Sequence, residues 1–310
     1  TLAAGFFGAR PLLTLLGTKD ILIEGAIRYL QIYSFGLPAA ALYNFGNAVF
    51  SAAGDTRKPL YILIAAGILN VVLNLFFVIV CHLAEAGVAL ASAISQWLSA
   101  GLVLFFLHRV HDSYGLNLRN VHFHASKVRL ILPLGLSAAA QNAIFATANL
   151  FIQSGVNTFD AVIVEGTAAA ANADSLVYDV MAAIYTACSS FMSQNYGAGK
   201  RKRVLHSYLV AMGYSLGIGL IFGISLALFG RGFLRIFATD ADVIEAGLVR
   251  LQLMGFCYGF SAFMDCTIAA SRGLGKSIIP TIIVILGSCV FRVAWVYTIF
   301  AYFNTIMSLY

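Results

Sequence analysis

The sequence predicts an all-α integral membrane protein built from two helical lobes. Of its 310 residues, 60% are apolar and 10% are charged, whereas soluble domains carry about 25% charged residues. The apolar residues also fall into long runs, and a helix of about 20 such residues spans the ~30 Å hydrocarbon layer. A transmembrane barrel would require alternating segments of about 10 residues, and these do not dominate the chain.

The apolar runs give the order of the predicted helices. They lie near 26–53, 59–80, 87–107, 129–154, 167–194, 207–229, 243–270 and 278–302. Residues 1–16 open apolar and resemble the end of another run, so we expect about eight and a half spans. Small residues and prolines inside the runs, as at Gly36-Leu37-Pro38, suit closely packed transmembrane helices.

Basic residues concentrate in every second loop between the predicted helices. These loops contain Arg57, Lys58, Arg109, Arg119, Lys127, Arg129, Lys200, Arg201, Lys202, Arg203, Arg272 and Lys276. The opposite loops contain fewer basic residues (Lys19, Arg231 and Arg235) and more acidic ones. The positive-inside rule therefore places segment 108–127 in the cytoplasm. We expect a multi-pass protein of the plasma (inner) membrane. The net charge of +6 follows from this topology and does not indicate nucleic-acid binding.

An internal repeat predicts how the helices are grouped. The motif that begins at Phe7 resembles the one at Phe229, an offset of 222 (229 − 7). The segment Gly54-Asp55-Thr56-Arg57-Lys58-Pro59 matches the one from Gly275 to Pro280, an offset of 221 (275 − 54). Six predicted helices separate equivalent points, which gives parallel repeats about an axis along the membrane normal.

The repeat also predicts the domain boundaries. We expect an amino-terminal lobe at 1–110, a cytoplasmic interlobe linker at 111–127 and a carboxyl-terminal lobe at 128–310. The period fits a parent protein with two six-helix bundles, so we expect this chain to be truncated at both ends.

The sequence predicts neither a metal site, nor a cofactor, nor an enzyme. The five cysteines lie in or at the ends of apolar runs without a C-x-x-C pair, which favours a packing role. The linker histidines (His108, His111, His122 and His124) lack Cys or carboxylate partners at ligand spacing. Gly275-Lys276-Ser277 resembles the end of a phosphate-binding loop, but the required first glycine is Ala270.

Charged residues fall inside the predicted spans of the second lobe, among them Asp174, Asp179, Asp265 and Arg292. A charge at the bilayer centre costs at least about 2.5–3.5 kcal/mol, so such residues face a cavity or a partner. Asp265 therefore has a functional role or forms a structural pair with Arg292. Asp174 and Asp179 are five residues apart, about 140° around a helix, and we expect only one of them to face the lobe interior.

Four motifs resemble signatures of one transporter family, the multidrug-and-toxic-compound-extrusion (MATE) family. They are the Gly54–Pro59 segment, Gly87-Val88-Ala89-Leu90-Ala91-Ser92, Gln194-Asn195-Tyr196-Gly197-Ala198-Gly199 and Arg272-Gly273-Leu274-Gly275. The resemblance runs from the family's third helix to its eleventh. It implies a twelve-helix monomeric transporter that exports amphipathic, often cationic compounds in exchange for Na⁺ or H⁺.

The resemblance also implies cation-coupling residues in each lobe. In the first lobe, Asn70 and Asn74 fall on the family's Asn–Asp pair and Ser92 on its Thr, although Asn74 has no carboxylate. These side chains either couple a cation or form interhelical hydrogen bonds. In the second lobe, Asp265 stands where similar members carry an acidic residue, with Asp174 and Asp179 as further candidates.

The predicted substrate cavity is lined by polar and aromatic residues, namely Asn44, Gln141, Asn142, Asn172 and Tyr178. Asn44 aligns with Asp265 in the repeat, and the ring of Tyr178 suits an organic cation. For each, helix packing is the alternative role. The alternative function is a lipid-linked saccharide flippase of related architecture, whose cavity would carry basic residues; the mostly acidic charges here favour cationic cargo.

Overall fold

The computed structural model describes residues 2–15, 20–112, 114–117, 119, 121–303 and 305–309; Lys19 lies outside them. Within this part of the chain the fold is all-α, without a β-strand. Seven helical segments there are long and apolar enough to span a membrane: Arg57–Val80, Ala84–His108, Ala125–Val156, Ala161–Gly197, Arg201–Leu234, Ala241–Gly273 and Ile278–Phe303. The predicted class, an all-α membrane protein, is confirmed.

The chain divides into two compact units, Thr1–Phe123 and His124–Tyr310, and the division falls within the predicted linker 111–127. The first unit contains α1 (Leu2–Phe7), α2 (Ala9–Leu15), α3 (Asp20–Ser34), α4 (Leu37–Ala52), α5 (Arg57–Leu75) and α6 (Ala84–His108). The second contains α7 (Ala125–Val156), α8 (Ala161–Gly197), α9 (Arg201–Leu234), α10 (Ala241–Gly273), α11 (Ile278–Val284), α12 (Phe291–Trp295), α13 (Ala301–Phe303) and α14 (Ile306–Leu309).

Helix α6 organises the first unit, because α3, α4 and α5 all pack against it. Its buried positions are mostly Gly, Ala and Ser, which allow neighbouring helices to approach closely. Phe50, Ile62, Val103 and Leu107 form the apolar core where α4, α5 and α6 meet.

The apolar run at 26–53 is predicted as one span, but it forms two helices, α3 and α4, separated at Phe35 and Gly36. Pro38 has no N–H to continue the helical ladder across this point. A Cβ on Gly36 would lie 2.0 Å from the side-chain oxygen of Gln96 and 3.2 Å from the Cα of Ala93, so glycine at this position lets α6 pack closely against the break. Trp97 Nε1 donates to the Phe35 carbonyl (3.0 Å) and satisfies one of the freed backbone groups.

The turns after α4 and α10 share one local structure, as the repeat predicts. Gly54 and Gly275 have φ of 87° and 78°, a conformation that glycine adopts without strain. The Gly54 amide donates to the Ser51 carbonyl (3.1 Å), and the Gly275 amide donates to the Arg272 carbonyl (2.9 Å). Each turn is followed by a helix with proline in its first turn. The rotation that relates the two lobes stays a prediction.

Helices α8, α9 and α10 form the packed centre of the second unit. Met181, Leu251 and Tyr258 are fully buried between them. Helices α8 and α10 cross closely at Gly166, where a Cβ would lie 2.7 Å from backbone atoms of Val243 and Gly247. This contact holds the two helices that carry the acidic residues at a fixed separation.

Two π-helical segments interrupt the last span, at Ile285–Val290 and Val296–Phe300. A third follows α5 at Phe76–Val80. Such segments change which side chains face a neighbouring helix and are frequent at functional sites. Here Ser288 and Arg292, within and just after the first segment of the last span, face a cavity.

Candidate functional site

A cavity of about 920 Å³ lies within the second unit, between α7, α8, α10 and the last span. Its volume is in the range of small-molecule sites. Its charged and polar lining includes Asn149, Asp174, Ser175, Tyr178, Asp179, Arg250, Ser261, Asp265, Ser288 and Arg292. Phe145, Phe291 and Trp295 add aromatic surface, so the lining suits a ligand with both apolar and charged parts.

Asp174 is already neutralised by partners from α10. Its Oδ2 accepts hydrogen bonds from Arg250 Nη2 (2.7 Å) and Nε (3.2 Å), and its Oδ1 accepts one from the Tyr258 hydroxyl. The residue is only 7% exposed. The ion-pair partner and the hydroxyl donor compensate the charge of this buried carboxylate. The arrangement therefore favours a structural role for Asp174 over the predicted coupling role.

Asp265 and Asp179 differ from Asp174, because the described residues offer neither of them a hydrogen bond or an ion pair. The predicted structural alternative for Asp265, a pair with Arg292, is not formed. Arg292 Nη1 instead donates to Asn149 Oδ1 (3.3 Å), and its guanidinium lies 5.9 Å from the centre of the Phe145 ring. Two carboxylates of the cavity are therefore open to a cation.

Asp174 and Asp179 both line the cavity, although their angular separation led us to expect only one in the lobe interior. The reason is the width of the cavity, which extends around α8 from the buried interface with α10 to an exposed side. Asp174 lies on the buried side and Asp179 on the exposed one. The cavity thus has three carboxylates and two guanidinium groups, an excess of one negative charge.

Tyr178 lies between these charged groups on the cavity wall. Its hydroxyl donates to Ser261 Oγ (3.2 Å), and its ring meets the Tyr258 ring edge-on at 5.8 Å. The ring and the polar tip both face neighbours from α10, which keeps the aromatic surface in place beside the carboxylates.

Three predicted lining residues lie outside this cavity. Gln141 is buried, and its Oε1 accepts hydrogen bonds from Arg272 (2.8 Å) and Thr281 (3.1 Å). Asn142 is exposed on α7. Asn172 is exposed on α8, where its amide donates to the Ala168 carbonyl of its own helix (3.2 Å). The polar side chain of Gln141 joins helices at one end of the bundle and does not serve this cavity.

In the first unit, the residues predicted to bind a cation form a series of hydrogen bonds between uncharged groups. Asn74 Nδ2 donates to Asn70 Oδ1 (3.0 Å), Asn70 Nδ2 donates to Ser95 Oγ (3.1 Å), and Ser95 donates to the Ser92 carbonyl (2.9 Å). Asn74 Oδ1 is buried without a hydrogen-bond partner among the described residues. Ser92 contributes its backbone here, and Asn44 is exposed elsewhere on α4.

The motifs and the fold agree with a comparison of the whole sequence. The MatE family model matches residues 1–76 and 133–298, which is more than half of the chain. The chain belongs to the MatE family. The predicted family is thereby confirmed, with three of the four motifs inside the matched residues and Gly87–Ser92 outside them. This MatE chain is a multi-pass membrane protein.

The MatE chain is similar to longer relatives. The "Probable multidrug resistance protein YpnP" of Bacillus subtilis is 31% identical over 258 residues, which cover 83% of this chain and 58% of that protein. An "FAD transporter" of Shewanella oneidensis is 28% identical over 265 residues, with the same two shares. This chain therefore spans 58% of the length of these curated relatives.

Solved structures show the same fold. An outward-facing multidrug resistance MATE family transporter of the MOP superfamily matches with a TM-score of 0.88 at 22% identity, over 99% of this chain and 70% of that one. A MOP superfamily transporter from Pyrococcus furiosus, described as having a binding pocket of reverse polarity, matches with a TM-score of 0.91 at 21% identity, over the same shares. At these identities the likeness establishes the fold alone.

Sequence reasoning missed three residues that organise the polar groups of this MatE chain: Arg250, Tyr258 and Ser95. Arg250 and Tyr258 are separated from Asp174 by 76 and 84 positions, so no local pattern pairs them. The sequence signal that singled out Arg250 was the repeat, in which it aligns with Arg28 at the offset of 222.

Proposed function

We propose that this MatE protein is a secondary active transporter that exports amphipathic or cationic small molecules by antiport with Na⁺ or H⁺. The two lobes alternate access to either side of the plasma membrane, with segment 108–127 in the cytoplasm and the protein acting as a monomer. The observation that carries the proposal is the cavity with aromatic walls, an excess of one negative charge and two unpaired carboxylates. The multidrug resistance protein named among its relatives supports the same class of cargo.

Asp265 is the coupling carboxylate of the second lobe in this proposal. It lies within the span Ala241–Gly273 and has neither a hydrogen bond nor an ion pair in the described part of the chain, so its carboxylate oxygens are open to an entering Na⁺ or H⁺. A cation that enters a negative cytoplasm releases about 2.3 kcal/mol per charge per 100 mV. To use this energy, the cation has to bind one state of the transporter more tightly than the other.

The hydrogen-bonded group of Asn70, Asn74 and Ser95 in the first lobe is uncharged, so its role in coupling differs from that of Asp265. The predicted coupling group of Asn70, Asn74 and Ser92 offers amide, hydroxyl and carbonyl oxygens but no carboxylate. Such oxygens can ligate Na⁺, whereas they cannot take up a proton near neutral pH. We therefore expect Asn70, Asn74 and Ser92 to take up no proton themselves, and among the residues of this chain we assign proton coupling to the second lobe.

Arg292 in the cavity wall favours a second candidate, the transport of an anionic cargo such as a flavin dinucleotide or a lipid-linked pyrophosphate. The named activity of the Shewanella relative is of this kind. Against it, the Arg250 charge is matched by Asp174, and the carboxylates outnumber the guanidinium groups. Cationic cargo is the better match.

Vesicle transport with separately imposed gradients tests the proposal. The full-length protein is reconstituted into liposomes without ATP, and the movement of a fluorescent organic cation is followed under a Na⁺ gradient, a pH gradient or neither. We expect transport with at least one gradient and none without. Transport of FAD in place of the organic cation would select the second candidate, and transport that requires ATP would contradict antiport.

A further inference from the structure

A cluster of sulfur atoms lies in the second unit outside the cavity. Cys188 and Met192 are one turn apart on α8, and the Cys188 thiol donates to the Met192 sulfur at 3.6 Å. Cys266 on α10 packs in the same buried core cluster as Cys188 and Met192. All three side chains are at least 96% buried, and Met212 of α9 packs against the same group.

The helices around the sulfur cluster are held close together by two contacts. A Cβ on Gly273 of α10 would lie 2.6 Å from the carbonyl oxygen of Ser189, the residue after Cys188. Tyr208 of α9 bonds Thr267 of α10 at 3.0 Å, beside Cys266. Backbones this close leave the sulfur atoms little freedom to separate.

The geometry points to a binding site for a soft, monovalent metal ion, Cu⁺ or its analogue Ag⁺, formed by Cys188, Cys266 and Met192. Metal–thiolate bonds are about 2.3 Å long, so three sulfur atoms around one ion lie about 4 Å apart. The Cys188–Met192 distance of 3.6 Å requires an outward shift of only a few tenths of an ångström. A flexible methionine such as Met192 accommodates that shift readily.

The donor set selects the ion. Both Cu⁺ and Zn²⁺ bind thiolate ligands. The thioether of methionine suits Cu⁺, whereas zinc completes its coordination with imidazole or carboxylate ligands. Within the described part of the chain, no group of three or more His, Cys, Asp or Glu side chains is arranged to hold a metal. The site thus offers the sulfur ligands that suit Cu⁺ without the imidazole or carboxylate set that would suit Zn²⁺.

Binding has a defined proton balance. The S–H bond of one cysteine breaks, a metal–sulfur bond forms and the proton leaves to the buffer, because the thiolate is the ligand form. One monovalent ion in place of one proton leaves the net charge of the buried site unchanged. The second thiol and the thioether complete the coordination with lone pairs.

Metal titration of the purified, reduced full-length protein tests this site independently of transport. Its background variant has Cys81, Cys257 and Cys289 replaced by Ala, which removes the other thiols of this chain. Silver ion is the probe, since it does not change oxidation state, and Cu⁺ affinity is measured against a competing chelator. We expect one tightly bound ion and release of one proton per ion.

The ligand variants give the decisive comparison. Cys188→Ala and Cys266→Ala should each weaken Ag⁺ binding by more than about 100-fold, since even outer partners of a metal site contribute 10–100-fold. Met192→Leu should weaken it about tenfold. Met181→Leu, a matched control at another buried methionine of α8, should leave it unchanged.

An affinity that neither cysteine variant alters would overturn the proposal, and so would tighter binding of Zn²⁺ than of Ag⁺. X-ray absorption of the metal-loaded background protein guards against variants that fail to fold. A shell of sulfur atoms alone supports the site, and a shell containing nitrogen or oxygen overturns it.

Discussion

Replacing Asp174 by Asn should destabilise the second unit without a specific effect on coupling. The Asp174–Arg250 pair joins α8 to α10 at 2.7 Å, with 10% and 18% of the two side chains exposed. Charges about 4 Å apart attract by about 4 kcal/mol at an effective dielectric of 20, and removing one partner of a buried pair typically costs 3–5 kcal/mol. We therefore expect Asp174→Asn to cost about 3 kcal/mol, because Asn still accepts one hydrogen bond.

The assay for Asp174→Asn is thermal unfolding of the full-length protein in detergent. A loss of 3 kcal/mol corresponds to a fall in Tm of about 6–12 °C for a unit of 150–250 residues. The double variant Asp174→Asn/Arg250→Gln should recover part of that loss, since it leaves no unpaired charge. Asp179→Asn, which removes an exposed carboxylate, should change the stability by less than about 0.5 kcal/mol. Additive losses in the double variant, or a normal Tm with transport abolished, would refute the structural role of Asp174.

Three further predictions concern other parts of the fold. Gly166→Leu should prevent close packing of α8 on α10 and reduce the amount of folded protein in the membrane, measured by fluorescence-detected size exclusion. Gly213→Leu, at an open position, should leave that amount unchanged. Asn70→Ala should remove the bond to Ser95 and lower stability by about 0.6–1.7 kcal/mol, and an unchanged Tm would contradict this. The hydrogen bond and charge of Lys58 lower the pKa of the Asp55 carboxyl. This pair therefore stabilises the turn above pH ~4, and the stabilisation is lost as the pH falls through the lowered pKa. Asp55→Asn should remove that part of the pH dependence of Tm.

Composition and run lengths sufficed to predict the all-α membrane fold, because hydrocarbon thickness dictates the length of a span. The repeat pointed to the two equivalent turns at Gly54 and Gly275, since each requires a left-handed backbone. The break at Gly36 was not predicted, because it depends on Gln96 and Trp97 of another helix. Helix ends shifted for the same reason: packing extends α8 to Ala161–Gly197, beyond the apolar run at 167–194.

The candidate site was predictable in its residue types but not in its pairing. The cost of a charge in the membrane marks Asp174, Asp179 and Asp265 as unusual, and all three line one cavity. Which of them is neutralised depends on Arg250 and Tyr258, whose contacts with Asp174 exist only in three dimensions. The sulfur cluster was hidden for the same reason, since Cys188 and Cys266 are 78 positions apart (266 − 188).

The most direct test of the account is gradient-driven export by the Asp265→Asn variant of the full-length protein, measured together with its abundance in the membrane. Asn keeps the size and hydrogen-bonding capacity of Asp265 but cannot take up a proton or neutralise Na⁺. The account predicts normal abundance, a normal Tm and loss of transport under the gradient that drives the parent, while Asp265→Glu keeps part of it. An Asp265→Asn protein that is present at normal levels and exports at the normal rate would contradict the account.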